Sequence, residues 1–159
     1  MKALALLLLL GAQHEPRYAF PGADKDGLLA FTVALPTGWR PKLSGPKGDA
    51  ADTPLLEPKF YGPKGSTLTL IRQKDLGDDF MRAVVEDLDR AQTRDPEGFR
   101  KLAFDGWFGG FYLVSRRGKP RVEGRLIRHS EVLTVGVECV SPFGPAEMTS
   151  LEKLLLSLR

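Results

Sequence analysis

Large apolar residues alternate with small or polar ones along several short stretches of this chain. From Phe31 to Leu35 every second side chain is large and apolar, and the sequence Pro36-Thr37-Gly38 follows. A period of two is the period of a β-strand with one buried face, and Pro and Gly mark turns. The pattern therefore predicts a strand over residues 28–35 that ends in a turn.

A second pair of strand-like stretches, residues 59–61 and 66–71, flanks the sequence Gly62-Pro63-Lys64-Gly65. Pro at the second position and Gly at the fourth suit a type I turn, so we expect a hairpin here. Residues 40–54 combine frequent Pro and Gly with little apolar periodicity. We expect them to form a long loop or an irregular crossover.

The apolar spacing changes to three and four residues between positions 78 and 94. The apolar residues that share a face there are Phe80, Met81, Val84, Val85 and Leu88. Charges of both signs occupy another face, so the pattern predicts an amphipathic helix. We expect Asp78 to be its N-cap and the sequence Asp95-Pro96-Glu97-Gly98 to end it.

Four more strand-like stretches follow, at residues 99–104, 107–116, 121–129 and 131–140, with short turn sequences between them. They predict an antiparallel meander with one buried face. A C-terminal helix is expected after Gly144-Pro145. Its apolar stripe consists of Met148, Leu151, Leu155 and Leu158, with Leu154 beside it. The order of elements predicts an α+β fold in which helices cover an antiparallel sheet.

The sequence Phe31-Thr32-Val33-Ala34-Leu35-Pro36-Thr37-Gly38-Trp39, the element order after it and the ending Leu155-Leu156-Ser157-Leu158-Arg159 resemble the PsbP-like superfamily. That superfamily includes the extrinsic photosystem II subunit, bacterial envelope proteins of unknown role and a nuclear Ran-binding import factor. The resemblance implies an α/β/α sandwich over most of the chain. It also implies a protein that binds or assembles with other proteins and has no shared active site.

The beginning of the chain has the pattern of a secretory signal peptide. Lys2 precedes an unbroken apolar run over residues 3–10, and small residues follow it. The run is shorter than the roughly 20 apolar residues that span a bilayer. We therefore expect residues 1–13 to direct export and residues 14–159 to form a single domain. If the run is a mispredicted start or a first helix packed on the core, the protein is cytoplasmic.

The composition removes several classes of function. One Cys and two His cannot form a Cys/His zinc site, and a lone Cys forms no intramolecular disulfide, so we expect neither metal nor cofactor. No nucleophile elbow, HExxH or phosphate-loop motif occurs. His129 and Ser130 are neighbours and would point to opposite faces of a strand. We expect no enzyme, a hydrolase being the least favoured alternative, and an inert thiol at Cys139.

Positive charge concentrates between residues 116 and 128. This segment has a net charge of +5, whereas the whole chain has +3. Alternation along a strand would place several of these charges on one face, where they could meet an acidic protein surface or an anionic envelope layer. The expected contact residues are Arg116, Arg117, Arg121 and Arg125. The alternative is a solubilising face or an edge that resists aggregation. The mild overall charge argues against nucleic acid.

The sequence Trp107-Phe108-Gly109-Gly110-Phe111-Tyr112 surrounds two glycines with aromatic rings. Those glycines could let a small apolar ligand lie against the backbone, with Trp107, Phe111 and Tyr112 around it. The alternative is a bulged strand whose rings pack under a helix.

These features together predict an exported, non-catalytic binding or assembly factor of the bacterial envelope. Its partner would be a protein or an anionic envelope surface, with no nucleic acid and no transmembrane span. A carrier of a small apolar ligand is the alternative.

Overall fold

A computed structural model describes residues 17–20, 31–44 and 55–159 of the chain. The predicted signal peptide, residues 1–13, lies outside them. The described residues form nine strands and two α-helices: β1 (Arg17–Phe20), β2 (Phe31–Ala34), β3 (Arg40–Ser44), β4 (Leu55–Tyr61), β5 (Thr67–Gln73), α1 (Asp78–Arg94), β6 (Arg100–Phe104), β7 (Trp107–Arg116), β8 (Lys119–Arg128), β9 (Glu131–Glu138) and α2 (Pro145–Leu156).

Seven of these strands form one antiparallel sheet in the order β3-β4-β5-β9-β8-β7-β6, and β1 pairs with β2 separately. The predicted meander is confirmed, because β6 to β9 are neighbours in chain order. Strand β9 then pairs with β5, which joins the hairpin of β4 and β5 to the meander. The two turns at Asp105-Gly106 and Arg117-Gly118 have positive φ at both residues, as type I′ hairpin turns require.

Helix α2 packs on one side of the sheet, termed the α2 face. The predicted apolar stripe of this segment is confirmed, because its members are all buried. They form the larger core with inward-facing residues of the strands, among them Phe60, Leu70, Phe111, Leu126 and Val135. The end of the chain is tied to β2, since Arg159 and Thr32 exchange two backbone hydrogen bonds of 3.1 Å.

Helix α1 packs on the opposite side, termed the α1 face, over a smaller core. Its buried residues Val84, Leu88 and Ala91 lie against a cluster that includes Ile127 and Val132. The described residues therefore form an α/β/α sandwich, which confirms the predicted fold class. The prediction of a single buried face is wrong, because Ile127 and Val132 are buried on the second face.

The boundaries of α1 agree with the prediction, but its buried face is narrower than expected. Phe80 is 47% exposed and Val85 is 38% exposed, so these two residues border the contact with the sheet. The N-cap is Gly77, and Asp78 occupies the first turn of the helix. A carboxylate in the first turn still favours the helix through its dipole.

Two predictions for the N-terminal half are wrong. The expected loop over residues 40–54 begins with β3, an edge strand, and Pro41 is tolerated there because an edge strand can lack a ladder hydrogen bond. The hairpin between β4 and β5 is confirmed, but its turn is not type I. The Ser66 amide donates to the Pro63 carbonyl at 3.1 Å, and Lys64 has a φ of 55°.

Candidate functional site

Helix α1 covers only one end of the α1 face. Its hydrophobic cluster reaches Ile127 on β8 and Val132 on β9 and includes no residue of β5. Further along the same face, a group of polar and small residues is half-buried and partly open to solvent. This group, termed the open region, consists of Thr67, Thr69, Arg121, Glu123, Arg125, Thr134 and Gly136. The open region is therefore a part of the described sheet that neither described helix covers.

The structure brings together three of the four arginines predicted to bind a partner. Arg121 and Arg125 lie in the open region, and Arg116 pairs across the hairpin with Lys119 on the same face. Arg117 lies at the first position of the turn between β7 and β8, with a φ of 53°. It is therefore at the end of the hairpin rather than on the face.

A bidentate ion pair fixes the guanidinium of Arg116. Its Nε donates to Glu123 Oε1 at 3.1 Å, and its Nη2 donates to Glu123 Oε2 at 2.9 Å. The hydrogen bond from Arg116 is the main cause that holds the pKa of Glu123 below its ordinary value, despite burial. The same hydrogen bond raises the pKa of Arg116. Both groups therefore stay charged across the neutral range.

Arg121 is held less completely. Its Nε lies 3.8 Å from Glu123 Oε1, beyond hydrogen-bond distance, and this buried atom has no hydrogen-bond partner among the described residues. Arg125 donates from Nη1 to the Gly124 carbonyl at 3.0 Å and forms no ion pair with a described residue. Both guanidinium groups retain donors for an external anion.

The sheet adds two cations that the sequence analysis missed. Arg40 on β3 and Lys59 on β4 lie on the α1 face, because they pair with Tyr61 and Thr69 respectively. The guanidinium carbon of Arg40 lies 5.1 Å from the Tyr61 ring centroid, a cation–π geometry. We term the open region together with Arg40, Lys59, Arg116 and Glu138 the basic face. Its five cations outnumber its two carboxylates, Glu123 and Glu138.

Two hollows lie along the basic face, and Arg116 and Glu123 line both of them. One is a cleft of about 230 Å³ between α1 and β8. The other is a wider hollow of about 1000 Å³ at the turn end of the β7–β8 hairpin, where Arg117, Lys119 and Arg121 lie. The predicted residue Arg117 therefore borders the wider hollow.

Arg128 belongs to the basic segment in sequence but lies on the α2 face. It pairs across the turn with Glu131, and its Nη2 lies 3.3 Å from Glu131 Oε2. Arg72 donates to the same oxygen at 3.0 Å. Both guanidinium groups also lie over the Trp107 ring, at 4.5 Å for Arg128 and 5.5 Å for Arg72. Arg128 is thus part of a structural cluster and not of the basic face.

The structure does not bring together the three aromatic residues of the predicted ligand site. Trp107 and Phe111 are buried in the larger core, whereas Tyr112 stacks on Phe99 in the smaller one. The space beside the two glycines is occupied by the protein itself. A Cβ at Gly110 would lie 2.5 Å from the Phe99 ring, and one at Gly109 would meet the Arg125 carbonyl. This close packing fits the alternative of rings packed in a sheet.

A neighbouring residue, Phe108, was missed by the sequence analysis. Its side chain is 50% exposed and lines an apolar groove of about 400 Å³ between α1 and the strands β6 and β7. Val85 and Ala103 line the same groove. Side chains alternate between the two faces of a strand, so the position of Phe108 directly after the buried Trp107 is the signal that could have identified it.

Of the residues considered for catalysis, His129 and Ser130 line neither hollow, whereas Cys139 lines the wider one. His129 and Ser130 are exposed in the turn between β8 and β9. Cys139 is half-buried, and burial raises the pKa of its thiol. The described residues include no cluster of His, Cys, Asp or Glu that could hold a metal ion. None of the described helices is long and apolar enough to cross a membrane.

Comparison with known proteins gives similarities of fold. No family model and no curated protein matches the chain. The fold is similar to the solution structure of cyanobacterial PsbP (CyanoP) from Synechocystis sp. PCC 6803, with a TM-score of 0.45 and 10% identity, over 94% of this chain and 95% of that one. It is also similar to a protein from Bacteroides thetaiotaomicron VPI-5482, with a TM-score of 0.41 and 12% identity, over 81% of this chain and 44% of that one.

The chain therefore spans less than half the length of the Bacteroides protein.

Proposed function

We propose that the protein is a non-catalytic binding or assembly factor, exported to the bacterial envelope, that binds an acidic protein through the basic face. The observation that carries this proposal is the half-buried position of Arg121 and Arg125 on a part of the sheet that the described helices leave open. Export is supported by the signal-peptide pattern of residues 1–13.

The arrangement of the basic face suits a protein partner. Arg116 is fixed by Glu123 at 2.9 Å, so it loses little side-chain freedom when a carboxylate approaches. Thr67, Thr69 and Thr134 add hydroxyl groups that donate and accept hydrogen bonds. An acidic surface is complementary in charge, and such complementarity increases the association rate and excludes wrong partners.

The test is a charge reversal on the basic face. Arg121→Glu with Arg125→Glu should weaken binding to the purified partner by at least about tenfold. The matched control is Arg82→Glu with Lys153→Glu, which makes the same charge change at exposed helix positions. Thermal unfolding of both variants shows whether the fold is retained. Equal weakening in the two variants, or none in the first, would overturn the proposal.

Three further experiments address the chemistry of binding and the location of the protein. Arg121→Lys with Arg125→Lys keeps the charge but loses the forked donors, so binding should weaken if carboxylates are recognised by hydrogen bonds. Anionic vesicles that bind as tightly as the protein partner would overturn the choice of a protein. The intact mass of the protein from its host should lack about thirteen N-terminal residues. A retained leader would overturn export.

The apolar groove beside Phe108 supports a second candidate, a carrier of a small apolar ligand. Its volume of about 400 Å³ lies within the range of small-molecule sites. An apolar fluorescent probe should bind to the wild-type protein. The substitution Phe108→Ser should abolish this binding. The control is Leu113→Ser, a residue of β7 that is 37% exposed and does not line the groove. Equal effects of the two substitutions would exclude this groove as the site.

A further inference from the structure

The narrower hollow, between α1 and β8, has the charges of an anion site. Its polar lining comes from the last turns of α1 and from the facing strands β7 and β8. These polar residues are Asp87, Arg90, Arg94, Tyr112, Arg116, Glu123 and Arg125. Leu88 and Ala91 add an apolar part to the lining. We infer that this cleft binds a doubly charged tetrahedral oxyanion, the phosphate group of a small molecule or a lipid headgroup.

The two carboxylates of the cleft are already paired. Asp87 forms an ion pair with Arg90, one turn further along α1, and Glu123 holds Arg116 in a bidentate pair. Neither carboxylate therefore has its full charge available to repel an incoming anion. Together the four arginines and two carboxylates leave an excess of two positive charges, which is the charge that a phosphate dianion neutralises.

Two guanidinium groups in the cleft have donors to spare. Arg94 and Arg125 form no ion pair with a described residue, and Arg125 is half-buried. Arginine presents its donors in a planar fork that matches two oxygens of a phosphate group. Because Arg94 comes from α1 and Arg125 from β8, an anion between them would be contacted from two sides of the cleft.

Tyr112 adds a neutral donor. Its ring stacks on Phe99 with the centroids 5.9 Å apart, which limits the positions that its hydroxyl can take. The hydroxyl forms no hydrogen bond with a described residue and can donate to a phosphate oxygen. The negative end of the α1 dipole lies near this cleft and opposes an anion, but a dipole end carries about half a charge. The excess charge of the arginines is larger.

The size of the cleft restricts the ligand class. A volume of about 230 Å³ is below the range of about 300–1,000 Å³ that is typical of drug-sized ligands, so the cleft would hold a phosphate group and its water rather than a whole organic molecule. The rest of a phosphorylated ligand would extend over the basic face. The inference does not require a protein partner and can fail or succeed separately from the proposed function.

The test is a titration of the isotope-labelled protein with inorganic phosphate, at an ionic strength held constant with chloride. Signals of the Arg94 and Arg125 side chains should shift in a saturable way. Arg94→Gln with Arg125→Gln should weaken binding by at least about tenfold. The control is Arg117→Gln with Lys119→Gln, which removes the same charge outside the cleft and should change the affinity by less than about twofold. A second arm measures binding to vesicles that contain a lipid with a phosphomonoester headgroup.

The inference is supported if binding to phosphate or to the vesicles saturates and is lost in the Arg94/Arg125 variant. Binding to free phosphate alone or to the vesicles as well would then identify the source of the phosphate group. Shifts that do not saturate would overturn it. So would binding that survives in the Arg94/Arg125 variant, or that falls equally in the control. If phosphate binding fails while the acidic partner still binds, only this inference is lost.

Discussion

Replacing Gly124 by alanine tests the packing of β8, the strand that carries the basic face. A Cβ at this position would lie 2.6 Å from Phe111 Cβ and 2.7 Å from the Gly110 carbonyl oxygen. Non-bonded heavy atoms normally stay about 3.5–4.0 Å apart. Phe111 is fully buried, and Gly110 belongs to the paired strand β7, so neither neighbour can swing away. Alanine would therefore force β7 and β8 apart or displace the Phe111 ring.

The expected loss of stability follows from two opposing effects. Overpacking of a filled core costs about 1–3 kcal/mol. The lower freedom of alanine in the unfolded chain offsets about 0.4–1 kcal/mol of that loss. Because the clash involves backbone atoms, we take the upper part of the first range and expect a net loss of about 2 kcal/mol. For a chain of this size that corresponds to a fall in Tm of about 4–8 °C.

The matched control is Gly136→Ala on the neighbouring strand β9. An added Cβ there meets Arg121 Nη2 at 3.4 Å, the end of a flexible side chain, so we expect no loss or a gain of up to about 1 kcal/mol. Urea unfolding can be followed by the fluorescence of Trp39 and Trp107, which are only 6% and 7% exposed. If the Gly124 variant is as stable as the control, the packing of β8 against β7 is refuted.

Three further predictions concern other strands and α2. Burial raises the pKa of Glu131, but hydrogen bonds and charges from two arginines outweigh it and lower that pKa below its ordinary value of 4.5. The stability that Glu131 adds is therefore present above pH 4.5 and is lost as the pH falls through the lowered pKa. Glu131→Gln should be less stable than the wild type at neutral pH, with a difference that shrinks in acid; a constant difference would contradict this. Leu154→Ala should cost about 2–5 kcal/mol in the urea assay. Leu156→Ala should cost much less because this residue is 39% exposed, and equal costs would contradict the orientation of α2. Because burial raises the pKa of Cys139, a thiol reagent should react with it more slowly in the folded than in the unfolded protein, and equal rates would contradict its burial.

The elements that were predicted most accurately are those with a long uninterrupted pattern. The bounds of α1 agree with the sequence prediction because its apolar residues keep a helical spacing through the segment. Those of β7 agree because turn sequences on both sides delimit a long run of mostly apolar residues. Strand β3 was missed because Pro41 and the following glycines look like a loop. Its pairing with β4 depends on residues far along the chain. A short edge strand has too little local pattern to be recognised.

Some residues of the candidate site could be placed from the sequence and others could not. Alternation along β8 correctly placed Arg121 and Arg125 on one face, because a strand has a strict period of two. The same rule places Arg128 on the opposite face, because it lies three positions after Arg125 and three is an odd number. Arg40 and Lys59 could not be placed from the sequence. Their face is fixed by pairing with partner strands, which no local pattern reveals.

The uncovered part of the α1 face follows from the dimensions of its elements. Seven strands at about 4.8 Å spacing give a sheet roughly 30 Å across, whereas a helix with its side chains is about 10–12 Å wide. One helix lying along the strands therefore covers two or three of them. On the α2 face the larger core also includes Val33 of β2, Leu35 and Trp39. The α1 face has no comparable addition among the described residues, so its remaining side chains must tolerate water.

Tolerance of water alone does not explain which polar residues lie there. A solubilising face gains nothing from burying the Arg121 Nε atom without a hydrogen-bond partner, since charge repels aggregation best when it is fully hydrated. Arg121 and Arg125 are half-buried, and Arg116 is held in a fixed orientation by Glu123. Orientation is useful when donors must meet acceptors at defined positions, as in binding a carboxylate or a phosphate group. The geometry of the arginines, more than their number, therefore favours a binding face over a solubilising one.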